Sequence, residues 1–232
     1  MDITEKLLRQ KQDFDDVYKA GKKAEYDAFW DEFQGYGQRS DYQYGFYCWY
    51  NMKEIKAKYP IKANMLYATF TNCYALETLP TITPNKTTGF DTIFNAFANC
   101  YKLKSIDIDL VNASTVDSAW DSTFNRCREL TTIKKMVVLD SQIFKQSTFR
   151  ECNALENITL DGVIGQNGFD IHWSTKLSAD SLASIINALS TTKTGLTVTL
   201  PSTAQNNYES KYGSGSWATL TATKSNWTIA YA

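Results

Sequence analysis

The sequence predicts an α/β solenoid, in which short units stack along one axis and pair their strands in a parallel sheet. Three observations predict it: a ten-residue frame recurs at nearly constant spacing, an alternating apolar pattern follows the frame, and both flanks contain patterns typical of helices and strands. We expect an N-terminal helix and aromatic-rich cap over residues 1–62, repeats over 63–162 and an α+β cap over 163–232.

The frame is F-x-x-C-x-x-L-x-x-[LI], and it occurs four times with spacings of 27, 27 and 25 residues. Its positions are Phe70, Phe97, Phe124 and Phe149; Cys73, Cys100, Cys127 and Cys152; Leu76, Leu103, Leu130 and Leu155; and Leu79, Ile106, Ile133 and Ile158. A fixed period in the twenties with these leucines is typical of leucine-rich repeats. One such unit cannot bury its apolar face alone, so we expect the units to stack.

Each unit contains a predicted strand and a predicted turn. From Ser105 to Leu110 the sequence alternates, which places Ile106, Ile108 and Leu110 on one face and polar residues on the other. Residues 94–97, just before the cysteine, favour a short helical or turn segment whose phenylalanine enters the core. The sequence therefore predicts a parallel sheet with one face exposed to water.

This frame resembles the BspA-like leucine-rich repeats of bacterial surface and phage-associated proteins, over roughly residues 63–162. The run VYKAGKKAEYDAFWDEFQGYGQRSDYQYGF resembles the segment that precedes such repeats in phage tail-associated proteins. The segment LSADSLASIINALS…GLTVTLP…ATKSNWTI resembles the ending of leucine-rich proteins encoded by prophages of gut Firmicutes. The resemblance implies a right-handed superhelix and an association with a phage or prophage tail.

The N-terminal flank, residues 2–33, favours a helix with Tyr26, Trp30 and Phe33 on one face, which we expect to pack on the first repeat. A seven-residue recurrence that includes Leu7 and Phe14 would suit a coiled-coil seam. Two roles for this helix therefore remain: it forms a homo-oligomer through this seam, or it is an ordinary surface helix.

The C-terminal flank, residues 163–232, predicts a cap of alternating helices and strands. A capped amphipathic helix follows Leu177, with its apolar positions at 182, 185, 186 and 189. A strand over 195–201, a short helix over about 203–212, a turn at 213–216 and a closing strand over 227–231 follow.

The four frame cysteines are predicted to pack as small buried thiols. Stacked units place them within reach of one another, but their Cβ vectors run parallel and do not converge as a disulfide requires. The sequence contains no C-x-x-C pair of the kind that zinc sites use, so no metal is expected. Cys48 lies outside the frame and is expected to be a further buried thiol in the N-terminal cap.

The sequence offers little for catalysis. His172 is the only histidine, no nucleophile motif accompanies it, and we expect it in a solvated loop. Phosphate-binding, dinucleotide-binding and metalloprotease motifs are absent from the sequence. Asp107 and Asp109 alternate along one strand and are explained as its exposed face. We expect no enzyme activity and no cofactor.

Charge and hydropathy exclude two classes of partner. The 24 Lys and Arg residues nearly balance the 25 Asp and Glu residues, which argues against a nucleic-acid partner. No stretch approaches the roughly 20 consecutive apolar residues of a membrane span, and the N-terminus lacks the apolar core of a signal peptide. We therefore expect neither membrane insertion nor signal-driven export.

Exposed aromatic residues are the best candidates for binding, because Tyr and Trp can contact sugar rings or a partner protein. The stretch DYQYGFYCWY at 41–50 contains six of them, and two tyrosines follow the cysteines of adjacent repeats. The alternative is that this stretch only covers the first repeat. The candidate binding residues are Tyr42, Tyr44, Trp49, Tyr50, Tyr74, Tyr101, Asp107 and Asp109.

These observations, with the resemblance, predict a non-enzymatic binding or structural module associated with a phage or prophage tail. Its partners would be a host-surface protein or glycan and other tail proteins. The protein would be made in the bacterial cytoplasm and found in the virion or outside the cell after lysis. A bacterial cell-surface adhesin of the same repeat family is the first alternative, and a carbohydrate-active enzyme the second.

Overall fold

A computed structural model describes residues 45–55, 61–114 and 119–232 of the chain. The predicted helix over 2–33 lies outside these residues. The described part contains the strands β1 (Ile61–Ala63), β2 (Ile82–Pro84), β3 (Ser105–Val111), β4 (Thr132–Val138), β5 (Asn157–Gly162), β6 (Phe169–Asp170), β7 (Leu196–Leu200) and β8 (Trp227–Tyr231). Its helices are α1 (Ala179–Ala188), α2 (Ala204–Tyr212) and α3 (Ser216–Ala222).

The strands form three small parallel sheets, ordered β1-β2, β3-β4-β5 and β6-β7-β8. In the middle sheet, Ile106 pairs with Ile133 and Ile133 pairs with Ile158, so the last position of the frame forms one column across three repeats. The alternation predicted for β3 is present at its ends, where Ile106 and Leu110 are fully buried. The pairs β3–β4 and β4–β5 each shift register once, because the earlier strand of each pair contains one extra residue at that point.

The segments before the cysteines are turns, and they pair with one another as regularly as the strands do. The backbone N–H groups of Phe70 and Asn72 donate to the carbonyls of Ala96 and Ala98 in the next repeat, both at 2.8 Å. The same pattern continues along the repeats. Residues at two frame positions adopt positive φ. Two residues before the frame phenylalanine these are Ala68, Asn95 and Ser122, and two residues after it they are Asn72, Asn99, Arg126 and Glu151. Both sides of each repeat are therefore hydrogen-bonded to its neighbours, which satisfies their buried backbone groups.

The frame phenylalanines form a continuous stack through the core. The ring centroids of Phe70 and Phe97 lie 5.6 Å apart and those of Phe97 and Phe124 lie 6.0 Å apart, with interplanar angles of 5° in both pairs. Phe149 continues the stack at 5.4 Å from Phe124. All four rings are buried, as the sequence predicts.

Two further units, which the frame did not predict, extend this arrangement at both ends. In the first, Trp49 replaces the cysteine, and the ring of Phe46 stacks on that of Phe70 at 5.2 Å and 5°. Its four frame positions, Phe46, Trp49, Met52 and Ile55, are all buried. In the second, Ile171, Ser174 and Leu177 take the positions of phenylalanine, cysteine and leucine, and they are also buried.

The C-terminal region has the predicted helices and strands and one helix more. Ser178 caps α1 by accepting a hydrogen bond from the Ser181 N–H, and Leu182, Ile185 and Ile186 form its buried face. The predicted turn at 213–216 is followed directly by α3, which the sequence analysis did not anticipate. None of the helices in the described residues has the length and apolar character needed to cross a bilayer.

We expect Phe97→Ala to lower the free energy of unfolding by about 3–5 kcal/mol, because the change removes a buried ring that contacts a ring on each side. Urea unfolding followed by tryptophan fluorescence measures this loss. Phe94→Ala is a matched control, since Phe94 is only half-buried and stacks on Tyr67. A Phe97 variant as stable as the wild type, or no less stable than the control, would contradict this prediction.

Candidate binding surface

A column of tyrosines lies on the surface at the position that follows the frame cysteine. Tyr74 and Tyr101 follow Cys73 and Cys100, and Tyr50 follows Trp49 in the first unit. The ring centroids are 5.0 Å apart between Tyr50 and Tyr74 and 4.9 Å apart between Tyr74 and Tyr101, with interplanar angles of 29° and 4°. We call these three residues the tyrosine column. Equal frame positions stack because the repeats pair in register.

Stacking covers the inner ring faces of the tyrosine column. Tyr50 is 46% exposed, Tyr74 is 36% exposed and Tyr101 is half-buried. Each stacked pair covers one face of each of its rings, so a sugar ring cannot insert between them without opening the stack. A hydrogen bond with the Cys48 side chain raises the pKa of Tyr50 to about 12. The contact expected here is polar and edge-on.

The column ends on an arginine. The guanidinium of Arg128 lies over the Tyr101 ring, 5.0 Å from its centroid, in a cation–π contact. Arg128 also donates from Nε and Nη2 to Oε2 of Glu151, at 3.1 and 2.6 Å. The carboxylate therefore holds Arg128 over the tyrosine.

Two more arginines approach the same carboxylate. Arg126 donates from Nε to Glu151 Oε1 at 3.1 Å, and Nε of Arg150 lies 3.8 Å from that oxygen. We call Arg126, Arg128 and Arg150 the arginine cluster. Hydrogen bonds from Arg128 and then Arg126 lower the pKa of Glu151, so the carboxylate is ionised at neutral pH. One negative charge faces three positive charges.

Neighbouring charges form ion pairs between repeats. Lys104 donates to Glu77 at 2.7 Å, and Lys102 pairs with Glu129 in the following repeat. The hydrogen bond from Lys104 lowers the pKa of Glu77. These exposed pairs contribute little to stability. Each pair links a lysine of one repeat to a glutamate of a neighbouring repeat.

The structure brings together only part of the predicted binding set. Tyr50, Tyr74 and Tyr101 form one column, whereas Tyr42 and Tyr44 lie outside the described residues. Trp49 does not join the exposed column: the residue is 3% exposed and its ring contacts that of Phe46 edge-on at 5.1 Å. It occupies the cysteine position of a repeat and packs in the core.

Asp107 and Asp109 lie on the exposed face of β3. Asp109 forms an ion pair with Lys134 at 2.9 Å, and Asp107 accepts a hydrogen bond from the Ser105 hydroxyl at 2.9 Å. Both carboxylates therefore have partners within the sheet surface. Neither is joined to the tyrosine column by a contact within the described residues.

His172 is not the solvated residue that the sequence suggested. Its side chain is largely buried, Nδ1 lies 2.5 Å from Oδ1 of Asp170, and its ring centroid lies 5.0 Å from that of Trp173. Asp170 belongs to β6, so the pair anchors the turn that follows this strand. Within residues 45–55, 61–114 and 119–232, no cluster of three or more His, Cys, Asp or Glu could hold a metal ion.

The frame cysteines are free thiols in the core, as predicted. Each one donates to the carbonyl of the phenylalanine in the preceding unit, and the distances are 3.0 Å for Cys73 and Cys152 and 3.1 Å for Cys100 and Cys127. The thiol is small enough for the core and still satisfies a backbone carbonyl. Cysteine is therefore at this position for packing and hydrogen bonding.

The binding residues predicted from the sequence are aromatic residues and two aspartates of β3, so they do not include the arginine cluster. The frame itself contains the signal: Arg128 follows Cys127 as Tyr101 follows Cys100, and it therefore belongs to the same column.

Comparison of the chain with protein-family models, with curated proteins and with solved structures finds no match.

The stability of the protein should fall at alkaline pH because of the buried thiols. Burial raises the pKa of Cys100 and Cys127 well above the usual range and raises that of Cys152 to about 12. An unfolded thiol titrates near pH 8.5. Above about pH 8.5 the unfolded chain therefore loses protons that the folded chain keeps. The free energy of unfolding should fall by about 1.4 kcal/mol per pH unit for each thiol.

The variant Cys152→Ser isolates one of these thiols, because its hydroxyl can donate to the Phe124 carbonyl but does not titrate in this range. Urea unfolding at about pH 7.5 and about pH 9.5 should show the stability advantage of the wild type shrinking as the pH rises. An advantage that is the same at both values would show that this thiol does not stay buried and protonated.

Proposed function

We propose that this chain is a non-enzymatic recognition module, built as a leucine-rich-repeat solenoid of the BspA-like kind. The support for the architecture is the alignment of equal frame positions: stacked phenylalanines, paired isoleucines and thiols bonded between units. Such an architecture presents one extended surface whose exposed residues are not needed for the fold. Function then depends on what the columns display.

The observation that carries the proposal is the tyrosine column. Tyr74 and Tyr101 are held parallel, with 4.9 Å between their ring centroids, although they lie at the surface and outside the core cluster. Side chains that are already ordered lose little rotamer entropy when a ligand binds, and tyrosine combines a large contact area with a polar hydroxyl. A fixed row of such residues suits recognition better than it suits stability.

We place this module in a phage or prophage tail, with its ligand on the surface of a host cell. The support is the resemblance of the repeats and of both flanks to phage-associated members of the family. Such a protein should copurify with phage particles after induction and lysis. Recovery on the envelopes of growing cells, with none on particles, would instead favour the adhesin alternative.

We expect the double variant Tyr74→Ser/Tyr101→Ser to bind host cells at least about tenfold more weakly, because it removes the centre of the tyrosine column. The measurement is the binding of fluorescently labelled protein to a panel of gut Firmicutes strains, titrated on the strain that the wild type binds most tightly.

The matched control is Tyr212→Ser, which removes a similarly exposed tyrosine at the end of α2, outside the column. The control should bind as the wild type does, and circular dichroism should show that all variants are folded. Undiminished binding by a folded double variant would refute the assignment of recognition to the tyrosine column.

A further inference from the structure

We infer that the ligand is an acidic saccharide, whose hydroxyl groups lie along the tyrosine column and whose carboxylate or phosphate group lies at the arginine cluster. This inference rests on the proposed function and names the ligand class of the same surface. The two parts are contiguous because the Arg128 guanidinium covers the last ring of the column.

The first support is the local charge. The guanidinium groups of the arginine cluster all lie within 3.8 Å of the Glu151 carboxylate, which can neutralise only one of them. Their side chains are 40%, 51% and 53% exposed for Arg126, Arg128 and Arg150, whereas that of Glu151 is 18% exposed. An approaching ligand therefore meets the positive groups before the negative one.

The second support is the supply of hydrogen-bond donors. Glu151 accepts from Nε of Arg126 and from Nε and Nη2 of Arg128. Among the described residues, the Arg150 guanidinium donates no hydrogen bond, since its distance of 3.8 Å from the carboxylate is too long for one. Guanidinium groups bind carboxylate and phosphate through two parallel N–H donors. Arg150 therefore offers such a pair to a ligand.

The third support distinguishes a saccharide from an acidic peptide. The faces of the Tyr74 ring and the inner faces of its neighbours are covered within the stack, so the column offers no apolar slot for a peptide side chain. It offers the phenol hydroxyls of Tyr74 and Tyr101, which can both donate and accept. The neighbouring repeats carry ion pairs such as that of Glu77 with Lys104. Hydroxyl groups at regular intervals match this surface.

The direct test is a titration of the full chain with three simple sugars, followed by NMR signals of the arginine Nε–H groups and of the backbone amides. The probes are glucuronate for the carboxylate source, glucose 1-phosphate for the phosphate source and glucose as the neutral reference. Saturable shifts at Arg128, Arg150 and Tyr101 with an acidic sugar, and none with glucose, are expected. If neither acidic sugar shifts these signals, or if acetate alone shifts them equally, the inference fails.

The second test measures affinity for polygalacturonate and for its methyl ester, which is the same polymer without charge. We expect Arg126→Gln/Arg150→Gln, which leaves the Arg128–Glu151 pair in place, to weaken polygalacturonate binding by about tenfold or more. The control is Lys176→Gln/Lys193→Gln, an equal charge change at exposed positions of the C-terminal region. Equal weakening by both variants would indicate bulk electrostatics and overturn the inference. Equal wild-type affinity for the acid and its ester would overturn it too, and so would tighter binding of oligoglutamate than of polygalacturonate.

The two proposals fail in different ways. If the tyrosine substitutions weaken host-cell binding and the arginine substitutions do not, the proposed function stands and the inference of an acidic ligand is refuted. Host-cell binding that ignores the tyrosine substitutions would remove the proposed function itself, whatever the sugars do.

Discussion

Backbone pairing between successive units is the interaction on which the rest of this structure depends. It runs through the strands, where Ile106, Ile133 and Ile158 share one register, and through the turns, where Phe70 and Asn72 donate to the following unit. Because both sides of a unit are paired, equal positions cannot slide past one another. The phenylalanine stack and the bonded thiols follow from that alignment, and together they supply the apolar burial that a single unit lacks.

The same alignment organises the surface. It stacks Tyr74 on Tyr101 by the means that stack Phe70 on Phe97, and it brings Arg128 over the end of the column. A substitution at an exposed frame position therefore changes the chemistry of the column and leaves the packing beneath it intact. The separation explains how an exposed tyrosine and a buried cysteine can occupy adjacent positions in one short frame.

Much of the core could be predicted because its residue types recur, and the exceptions have physical reasons. The first unit could not be recognised from the frame because Trp49 replaces the cysteine. Its large buried ring occupies the position where the other units have a hydrogen-bonded thiol. The last was hidden because Ser174 replaces the thiol with a hydroxyl, which donates to the Cys152 carbonyl. In the site, Tyr74 and Tyr101 could be found as aromatic residues. The arginine cluster could not, since its meaning depends on three side chains that converge on Glu151 only after folding.

The left-handed residues at fixed frame positions have an evolutionary consequence. Asn72 and Asn99 turn the chain in the same way and are 27 residues apart, so the intervening stretch begins and ends with the same backbone geometry. Duplicating that stretch in the gene would splice a whole additional layer into the array without disturbing its neighbours. Recombination can thus lengthen or shorten the tyrosine column by one ring at a time, but it cannot change the spacing between the rings.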